Sequence, residues 1–275
     1  MVGSNPLVRD RDIEFLLYEV HNVLDLCKLP AFAEHERETF DLFLGSAAKL
    51  ARDSLFPLFR EMDEQPARLV DGRVHEHPKM GELYARMVEL GIVTAGRPEA
   101  VGGAQLPSCI TAMAYLYLMA GNGGAVGYPL LTAGAGHLIE SFGSDALREL
   151  FLNRMYEGEW SGTMALTEPQ AGSSLGDITT AASPVEGRDD VYRIKGSKIF
   201  ISGGDHQFLD NIVHLTLARR VGDPAGVKGI SLLAVPRMRP VAGDPSELEF
   251  NDVHTSQLVH KIGWRGLASL GLSYG

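Results

Sequence analysis

The stretch of sequence that decides the fold reads MALTEPQAGSSLGD over residues 164–177 and YRIKGSKIFISGGDH over residues 192–206. Alternating bulky and polar residues predict two β-strands, Ser161–Thr167 and Tyr192–Ser202. The first strand leads into Glu168–Ser174, a loop of small and hydroxyl-bearing residues. Small residues let backbone N–H groups approach a ligand closely, and consecutive N–H groups form a nest for an anion or a carbonyl oxygen.

The side chains of this stretch suit one kind of ligand. Thr167, Ser173 and Ser202 supply hydroxyl groups, and Phe200 offers a flat apolar face. A polar-edged aromatic ligand that carries phosphate, such as a flavin nucleotide, matches that chemistry. The chemistry alone favours the plainer alternative, a β-hairpin with a Ser-rich turn and no ligand, and both interpretations stay open at this point.

Composition limits the class of protein. The chain has 275 residues, is 45% hydrophobic and carries a net charge of −10, so one large or two modest domains and no nucleic-acid partner are predicted. Cys27 and Cys109 lie in no metal or CxxC spacing and are predicted to be reduced thiols. His75-Glu76-His77 has no third ligand nearby, and no metal is predicted. Because no signal peptide or 18-residue apolar run is found, a cytoplasmic protein without a transmembrane segment is predicted.

Helical periodicity dominates the chain up to about residue 158. Residues 62–78 are predicted to be a polar loop, and the GNGGAVG stretch at 121–127 a connection between two helices. Pro57 is expected to end or kink its helix. The predicted helices are Asp12–Cys27, Glu34–Glu61, Lys79–Leu90, one that begins after Ser108, one from Pro129 to Gly143, and Asp145–Tyr156 capped by Ser144.

From Trp160 onward the period becomes two. Short strands separated by turn signals predict an antiparallel barrel or sandwich. The predicted strands are 161–167, 178–183, 191–196, 198–202, 211–219, 229–236 and 258–262. The predicted fold class is therefore α+β and multidomain, with an all-α helical domain over residues 1–158 and an antiparallel β-barrel domain over residues 159–275.

Two motifs in this order and spacing resemble a known signature. Met164–Ser173, followed by Lys198–Gly204, resembles the flavin-binding signature of the acyl-CoA dehydrogenases. Pro98–Gly103 resembles the PExxGG loop of the same family. The opening helices and the HKxGxRG stretch at His260–Gly266 resemble its longer branch, which includes 3-methylmercaptopropionyl-CoA dehydrogenase-like enzymes. The resemblance covers almost the whole chain and implies a helical domain followed by a β-barrel domain.

The resemblance also implies roles for individual residues. Ser173 is expected near the FAD pyrophosphate and the pantetheine of the acyl-CoA, and Ser202 is expected to hydrogen-bond flavin N5. The family more often has Trp at the position of Phe200 and Thr at that of Ser202. An ordinary cross-strand hydroxyl pair and plain core packing are the competing interpretations. The full set of predicted cofactor-binding residues is Met164, Leu166, Thr167, Ser173, Phe200, Ile201 and Ser202.

By the same resemblance, the expected reaction is α,β-dehydrogenation of an acyl-CoA thioester with hydride transfer to FAD. An electron-transferring flavoprotein and a homo-oligomer are the implied partners. The family's C-terminal four-helix domain, which usually carries the catalytic Glu, is predicted to be missing. The base is therefore expected beyond Gly275, no catalytic residue is assigned, and the chain alone is predicted to be inactive. A non-catalytic flavin- or partner-binding fragment and a related flavin oxidase are the alternatives.

Overall fold

The computed structural model describes residues 6–241 and 244–275 and separates into two compact units. The first unit comprises the chain up to Gln65 together with Pro78–Leu130. The second comprises Pro66–His77 and Leu131–Gly275. Helices make up the regular structure of the first unit, and every described strand lies in the second. The predicted sequence of helical structure followed by β-structure is thus confirmed.

The first predicted helix, Asp12–Cys27, is wrong as a single element. Helix α1 covers Asp10–Glu14 and runs into a π-helical segment, Phe15–Val20. The chain then turns at Asn22, whose φ of 44° is left-handed, before a 3-10 helix over Val23–Lys28. Asn tolerates that conformation better than most residues, and its Nδ2 donates to Asp25 at 2.7 Å. A 3-10 turn over Pro30–Phe32 follows.

The second predicted helix, Glu34–Glu61, forms three residues further along the chain and is less regular than expected. Helix α2 covers Arg37–Leu50, a π-helical turn covers Ala51–Leu55, and helix α3 covers Phe56–Glu64. Pro57 does not end the helix. It lies in the first turn of α3, directly after the π turn, where a missing N–H costs least.

Residues 62–78 do not form the predicted loop beyond the end of α3. Strand β1, Arg68–Val70, pairs antiparallel with strand β2, Arg73–His75, around a turn in which Asp71 and Gly72 both have positive φ. An Asp-Gly pair is the usual signal for such a hairpin turn. Val74 is fully buried, in the same apolar cluster as Ile201 of the second unit. The β1–β2 hairpin therefore contributes to the core of the second unit.

Helix α4, Met80–Glu89, confirms the predicted helix over Lys79–Leu90 and ends before Gly91, whose φ is 79°. A 3-10 turn over Glu99–Val101 leads towards helix α5, Ser108–Phe142. The predicted helix–helix connection at 121–127 is confirmed in part, since two helical halves of α5 meet at Asn122, whose φ of −161° and ψ of 87° are non-helical. The junction is shorter than predicted, and Pro129 lies inside the second half rather than at its start. The Asn122 Oδ1 accepts from the Ala125 N–H at 3.1 Å and so caps the second half of the helix.

Helix α5 is also the one helix in the described residues that is long and apolar enough to cross a membrane. Its most apolar window has a mean hydropathy of 1.2, and 56% of that window is buried inside the structure. Glycines and polar residues such as Asn122 interrupt its apolar stretch, so the helix contains no unbroken run of 18 apolar residues. The burial matches that of a core helix.

The last helical segment confirms the predicted helix over Asp145–Tyr156. Its parts are helix α6, Asp145–Leu147, a π turn over Arg148–Leu152, and helix α7, Asn153–Tyr156. The Ser144 Oγ accepts from the Leu147 N–H at 3.4 Å, as expected of an N-cap.

The second unit is built on a curled, mixed sheet of seven strands. Its strands are β3 Trp160–Ala165, β4 Ala181–Val185, β5 Arg188–Ser202, β6 Asn211–Arg220, β7 Ile230–Pro236, β10 Val253–Leu258 and β11 Ser269–Tyr274, and a separate pair is formed by β8 Met238–Val241 and β9 Asp244–Phe250. Along the sheet the order is β10-β11-β5-β4-β6-β3, and β7 also pairs with β6. The pairs β3–β6 and β4–β6 are parallel, so the sheet is not wholly antiparallel as predicted.

Strand predictions were correct in the centre of the sheet and wrong near its end. The two strands predicted at 191–196 and 198–202 are one strand, β5. The strand predicted at 258–262 does not form, since β10 ends at Leu258 and Ile262 is fully exposed. Strands β8, β9, β10 and β11 were not predicted, although β11 lies between β10 and β5 and buries Leu270 and Leu272.

Candidate functional site

Backbone and side-chain hydrogen bonds bring the two sequence motifs together. The loop that follows β3 crosses the end of β5, where the Ile199 N–H donates to the Thr167 carbonyl at 2.8 Å. The Lys198 Nζ donates to the Leu166 carbonyl at 3.0 Å. On the other side of β5, Ser202 is paired with Ser269 of β11. Residues about thirty positions apart are thus adjacent in the structure.

A buried ion pair lies beneath this surface. The Glu168 carboxylate and the Lys198 ammonium are 2.8 Å apart, and their side chains are 1% and 0% exposed. The carboxylate also accepts from the Thr179 N–H at 2.7 Å, the Thr179 hydroxyl at 2.9 Å and the Thr180 N–H at 3.0 Å. A further bond comes from Gln170 Nε2 at 2.7 Å. Such a set of donors compensates a buried charge.

The environment of Glu168 decides its ionisation. Burial alone would raise its pKa, but the ammonium of Lys198 and the donors of Thr179 and Thr180 outweigh that effect and lower the pKa to about 2. Burial lowers the pKa of Lys198, and the neighbouring carboxylate counters it. A general base works best when its pKa lies near the operating pH, so Glu168 is suited to anchoring the loop rather than to accepting a proton.

Asp205, three residues after Ser202, is also committed to structure. Its carboxylate is 1% exposed and accepts from Arg73 Nε at 3.2 Å, the Val74 N–H at 2.9 Å and the Thr255 hydroxyl at 3.0 Å. Arg237 adds a second cation at 3.5 Å. These contacts tie the end of β5 to the β1–β2 hairpin and to β10, and they keep Asp205 away from solvent.

A β-bulge near the end of β5 sets which side chains face outward. Between Lys198 and Ile201 the strand carries one residue more than β11 has between Leu272 and Leu270. Phe200 absorbs the irregularity with a φ of 62°, which is uncommon for an aromatic residue. As a result Lys198 and Ile201 both point inward, and Phe200 is 58% exposed.

The predicted site residues divide by exposure. Met164 is 37% exposed, so neither it nor Phe200 belongs to the core. Ser173 is exposed, and Leu166, Thr167 and Ser202 are half-buried. Ile201 lies in the apolar core of the second unit, so only its backbone can reach a ligand. The arrangement offers a flat aromatic face beside hydroxyl and backbone donors, which is the chemistry expected of a flavin site.

Sequence reasoning missed several buried polar residues behind this surface. Ser161 Oγ lies 2.7 Å from His206 Nε2, and Thr163 Oγ1 lies 2.7 Å from His214 Nδ1. Burial lowers the pKa of each imidazole to about 3. Small hydroxyl residues alternating on β3, as Ser161 and Thr163 do, were the available signal. In the described residues no group of three His, Cys, Asp or Glu could hold a metal, and Glu76 instead accepts from the Gln207 N–H at 2.9 Å.

Comparison with known protein families identifies the architecture. Residues 37–159 match the acyl-CoA dehydrogenase N-terminal domain, and residues 163–274 match the acyl-CoA dehydrogenase middle domain. This chain belongs to the acyl-CoA dehydrogenase family. The expectation drawn from the two flavin motifs is therefore confirmed at the level of the family.

Individual relatives of this acyl-CoA dehydrogenase family member agree. A butyryl-CoA dehydrogenase of Syntrophomonas wolfei is 34% identical over all of the chain, which covers 45% of that protein. A 3-methylmercaptopropionyl-CoA dehydrogenase of Ruegeria pomeroyi is 34% identical over 96% of the chain, which covers 44% of that protein. The butyryl-CoA dehydrogenase structure from Megasphaera elsdenii has the same fold, with a TM-score of 0.67, 24% identity and coverage of 87% of this chain and 56% of that one. The chain thus spans less than half the length of these two curated relatives.

Proposed function

We propose that this chain forms the flavin-binding part of an FAD-dependent acyl-CoA dehydrogenase acting on an acyl-CoA thioester. The observation that carries the proposal is the joining of the two motifs by the Ile199–Thr167 and Lys198–Leu166 hydrogen bonds, beside exposed Phe200. Bound FAD supplies the hydride acceptor. The names of the two curated relatives support an acyl-CoA substrate.

The residues present fit FAD by their chemistry. Phe200 offers its ring to the apolar face of an isoalloxazine, and Ser202 offers a hydroxyl at the neighbouring strand position. The loop through Gly172 and Ser173 has small side chains that let a pyrophosphate approach the backbone. We assign cofactor contacts to Met164, Leu166, Thr167, Ser173, Phe200, Ile201 and Ser202, with Ser173 also facing the pantetheine of the acyl-CoA.

The proton-abstracting base is the second part of the proposal. Dehydrogenation needs a base within hydrogen-bond reach of the substrate α-proton. Glu168 and Asp205 are the carboxylates closest to the motifs in sequence, and both are buried in hydrogen bonds with other parts of the chain. We propose that the base is neither of them and lies outside residues 6–241 and 244–275. A domain division at 158/159, an electron-transferring flavoprotein partner, a homo-oligomer, a role in fatty acid metabolism and a cytoplasmic location belong to the same proposal through family membership.

A titration of the purified chain with FAD tests the flavin site. We expect the chain to retain a flavin absorbance spectrum after excess FAD is removed by gel filtration. Loss of one aromatic contact in Phe200→Ala should weaken FAD binding roughly two- to tenfold. Phe142→Ala is the matched control, because Phe142 is 82% exposed at the end of α5. A colourless parent chain, or equal weakening in both variants, would refute the assignment.

An activity assay tests the position of the base. We expect no reduction of an artificial electron acceptor when the purified chain, FAD and butyryl-CoA are mixed. Turnover above the rate without protein would show that the described residues include a working base, and it would contradict the second part of the proposal.

A further inference from the structure

Lys198 is a buried cation whose contacts exceed what charge compensation requires. Removing an ammonium group from water is costly unless a counter-charge and hydrogen bonds replace the water. The Glu168 carboxylate supplies the counter-charge at 2.8 Å. The same Nζ donates a second hydrogen bond, at 3.0 Å, to the carbonyl of Leu166. That second bond fixes a backbone group inside the first flavin motif.

Because the peptide group is planar, the hydrogen bond from Lys198 to the Leu166 carbonyl also fixes the direction of the Thr167 N–H. The described residues contain no cis peptide, so the Leu166 carbonyl and the Thr167 N–H point in opposite directions. The next carbonyl, that of Thr167, is held by the Ile199 N–H at 2.8 Å. The Thr167 N–H itself donates to no acceptor among the described residues. Strand β5 therefore holds the carbonyls of both Leu166 and Thr167, and it leaves the Thr167 N–H between them available.

Glu168 keeps Lys198 in this position. Its carboxylate is anchored by Thr179 and Thr180 through three hydrogen bonds from 2.7 to 3.0 Å. These anchors lie in the chain just before β4 and do not depend on Lys198. The lysine head group thus lies between a fixed carboxylate and the carbonyl that it orients.

We propose that Lys198 is a positioning residue that aims the Thr167 N–H at the polar edge of the FAD isoalloxazine ring. The inference rests on the proposed function. Orientation fixed before the ligand arrives removes an ordering cost from binding, and a donor aimed at the ring edge stabilises the negative charge of the reduced flavin. Loss of Lys198 therefore weakens FAD binding and makes the reduction potential of bound FAD more negative, even when the fold is intact.

Three variants of the full chain separate positioning from simple ion pairing. Lys198→Met removes the donor but leaves Glu168 buried without its cation. Glu168→Gln removes the counter-charge but leaves Lys198 able to donate to Leu166. The double variant removes both charges, and an exchange of a buried ion pair for uncharged residues of similar size is often neutral for stability. For each variant the melting temperature, the FAD dissociation constant and the reduction potential of bound FAD are measured.

We expect the double variant to melt near the parent temperature but to bind FAD roughly three- to tenfold more weakly, with a more negative potential. Glu168→Gln, assayed below its melting temperature, is expected to lose less FAD affinity than Lys198→Met, because Lys198 can still donate to the Leu166 carbonyl. If the double variant does not fold, the FAD affinities of Lys198→Met and Glu168→Gln are compared below their melting temperatures. Weaker binding by Lys198→Met would support the positioning role, and equal binding would overturn it. If variants without Lys198 have the FAD affinity and the reduction potential of the parent, the inference is overturned but the proposed function is not. Absence of FAD binding by the parent chain would overturn the proposed function, and the inference with it.

Discussion

Replacing Glu168 by Gln removes a carboxylate whose ionised form is stabilised by the folded state. Its pKa is lowered from 4.5 to about 2, despite burial, by Lys198 and by the donors of Thr179 and Thr180. Because the folded pKa lies below the unfolded one, this contribution to stability is present in full above pH 4.5 and is lost as pH falls from 4.5 towards 2. At about 1.4 kcal/mol per pKa unit, the contribution at neutral pH is up to about 3–4 kcal/mol. Solvent screening is small, since the side chain is 1% exposed.

Urea unfolding at a series of pH values measures this contribution. We expect Glu168→Gln to be less stable than the parent by up to about 3–4 kcal/mol at pH 7, and we expect the difference to shrink as pH falls below 4.5. Glu82→Gln is the control, because Glu82 pairs with Lys79 and Arg86 on the solvent-exposed surface and such pairs contribute little. A difference between Glu168→Gln and the parent that stays constant from pH 7 to pH 3 would refute the reasoning.

Three further predictions concern the second unit and α2. Asp205→Asn should lower the free energy of unfolding in urea by ~3–5 kcal/mol, because Arg73 and Arg237 lose their buried carboxylate. Hydrogen exchange in the β1–β2 hairpin should become faster, and unchanged exchange would contradict this. Gly162→Ala should cost ~1–3 kcal/mol, since a Cβ there would lie 2.6 Å from Ala135 Cβ, which cannot move aside, and 2.5 Å from Met155 Cε. Gly45→Ala in α2 meets nothing within 4 Å and should stabilise by ~0.5–1 kcal/mol in the same assay. Burial lowers the pKa of His214 to about 3, so NMR should show no protonation of its imidazole down to pH 4. The free energy of unfolding should nevertheless decrease as the pH falls below 6.5, because only the unfolded state takes up the proton. Titration of His214 near pH 6 in the folded protein would contradict this.

The sequence was sufficient for those parts of the fold that depend on local patterns. The apolar stripe of α4 and the Ser144 cap of α6 carry their signals within a few residues, and the structure confirms both. The adjacency of the two flavin motifs was implied by their resemblance to the family's signature. The junction between the two halves of α5 was predicted at the right place, but its length was not, because the single side chain of Asn122 caps the second half where a loop was expected.

The polar interior of the second unit was beyond local reasoning. Lys198 lies in an alternating strand where a lysine is normally solvated, and only the bulge at Phe200 turns both Lys198 and Ile201 inward. The contact between Arg73 and Asp205 joins residues 132 positions apart. Such pairings depend on the tertiary arrangement of the sheet, so a single sequence without structure does not reveal them.

The β1–β2 hairpin is synthesised long before the residues that it contacts in the sheet. At ~5–20 residues per second, Arg73 leaves the ribosome roughly 7 to 26 s before its carboxylate partner, which follows 132 positions later. During that interval the hairpin has no sheet to join. The same contacts matter when the β-sheet domain is transferred into another protein. A segment that begins at residue 159 contains Asp205 but lacks its partners Arg73 and Val74. A transplantable middle domain therefore has to bring residues 66–77 with it.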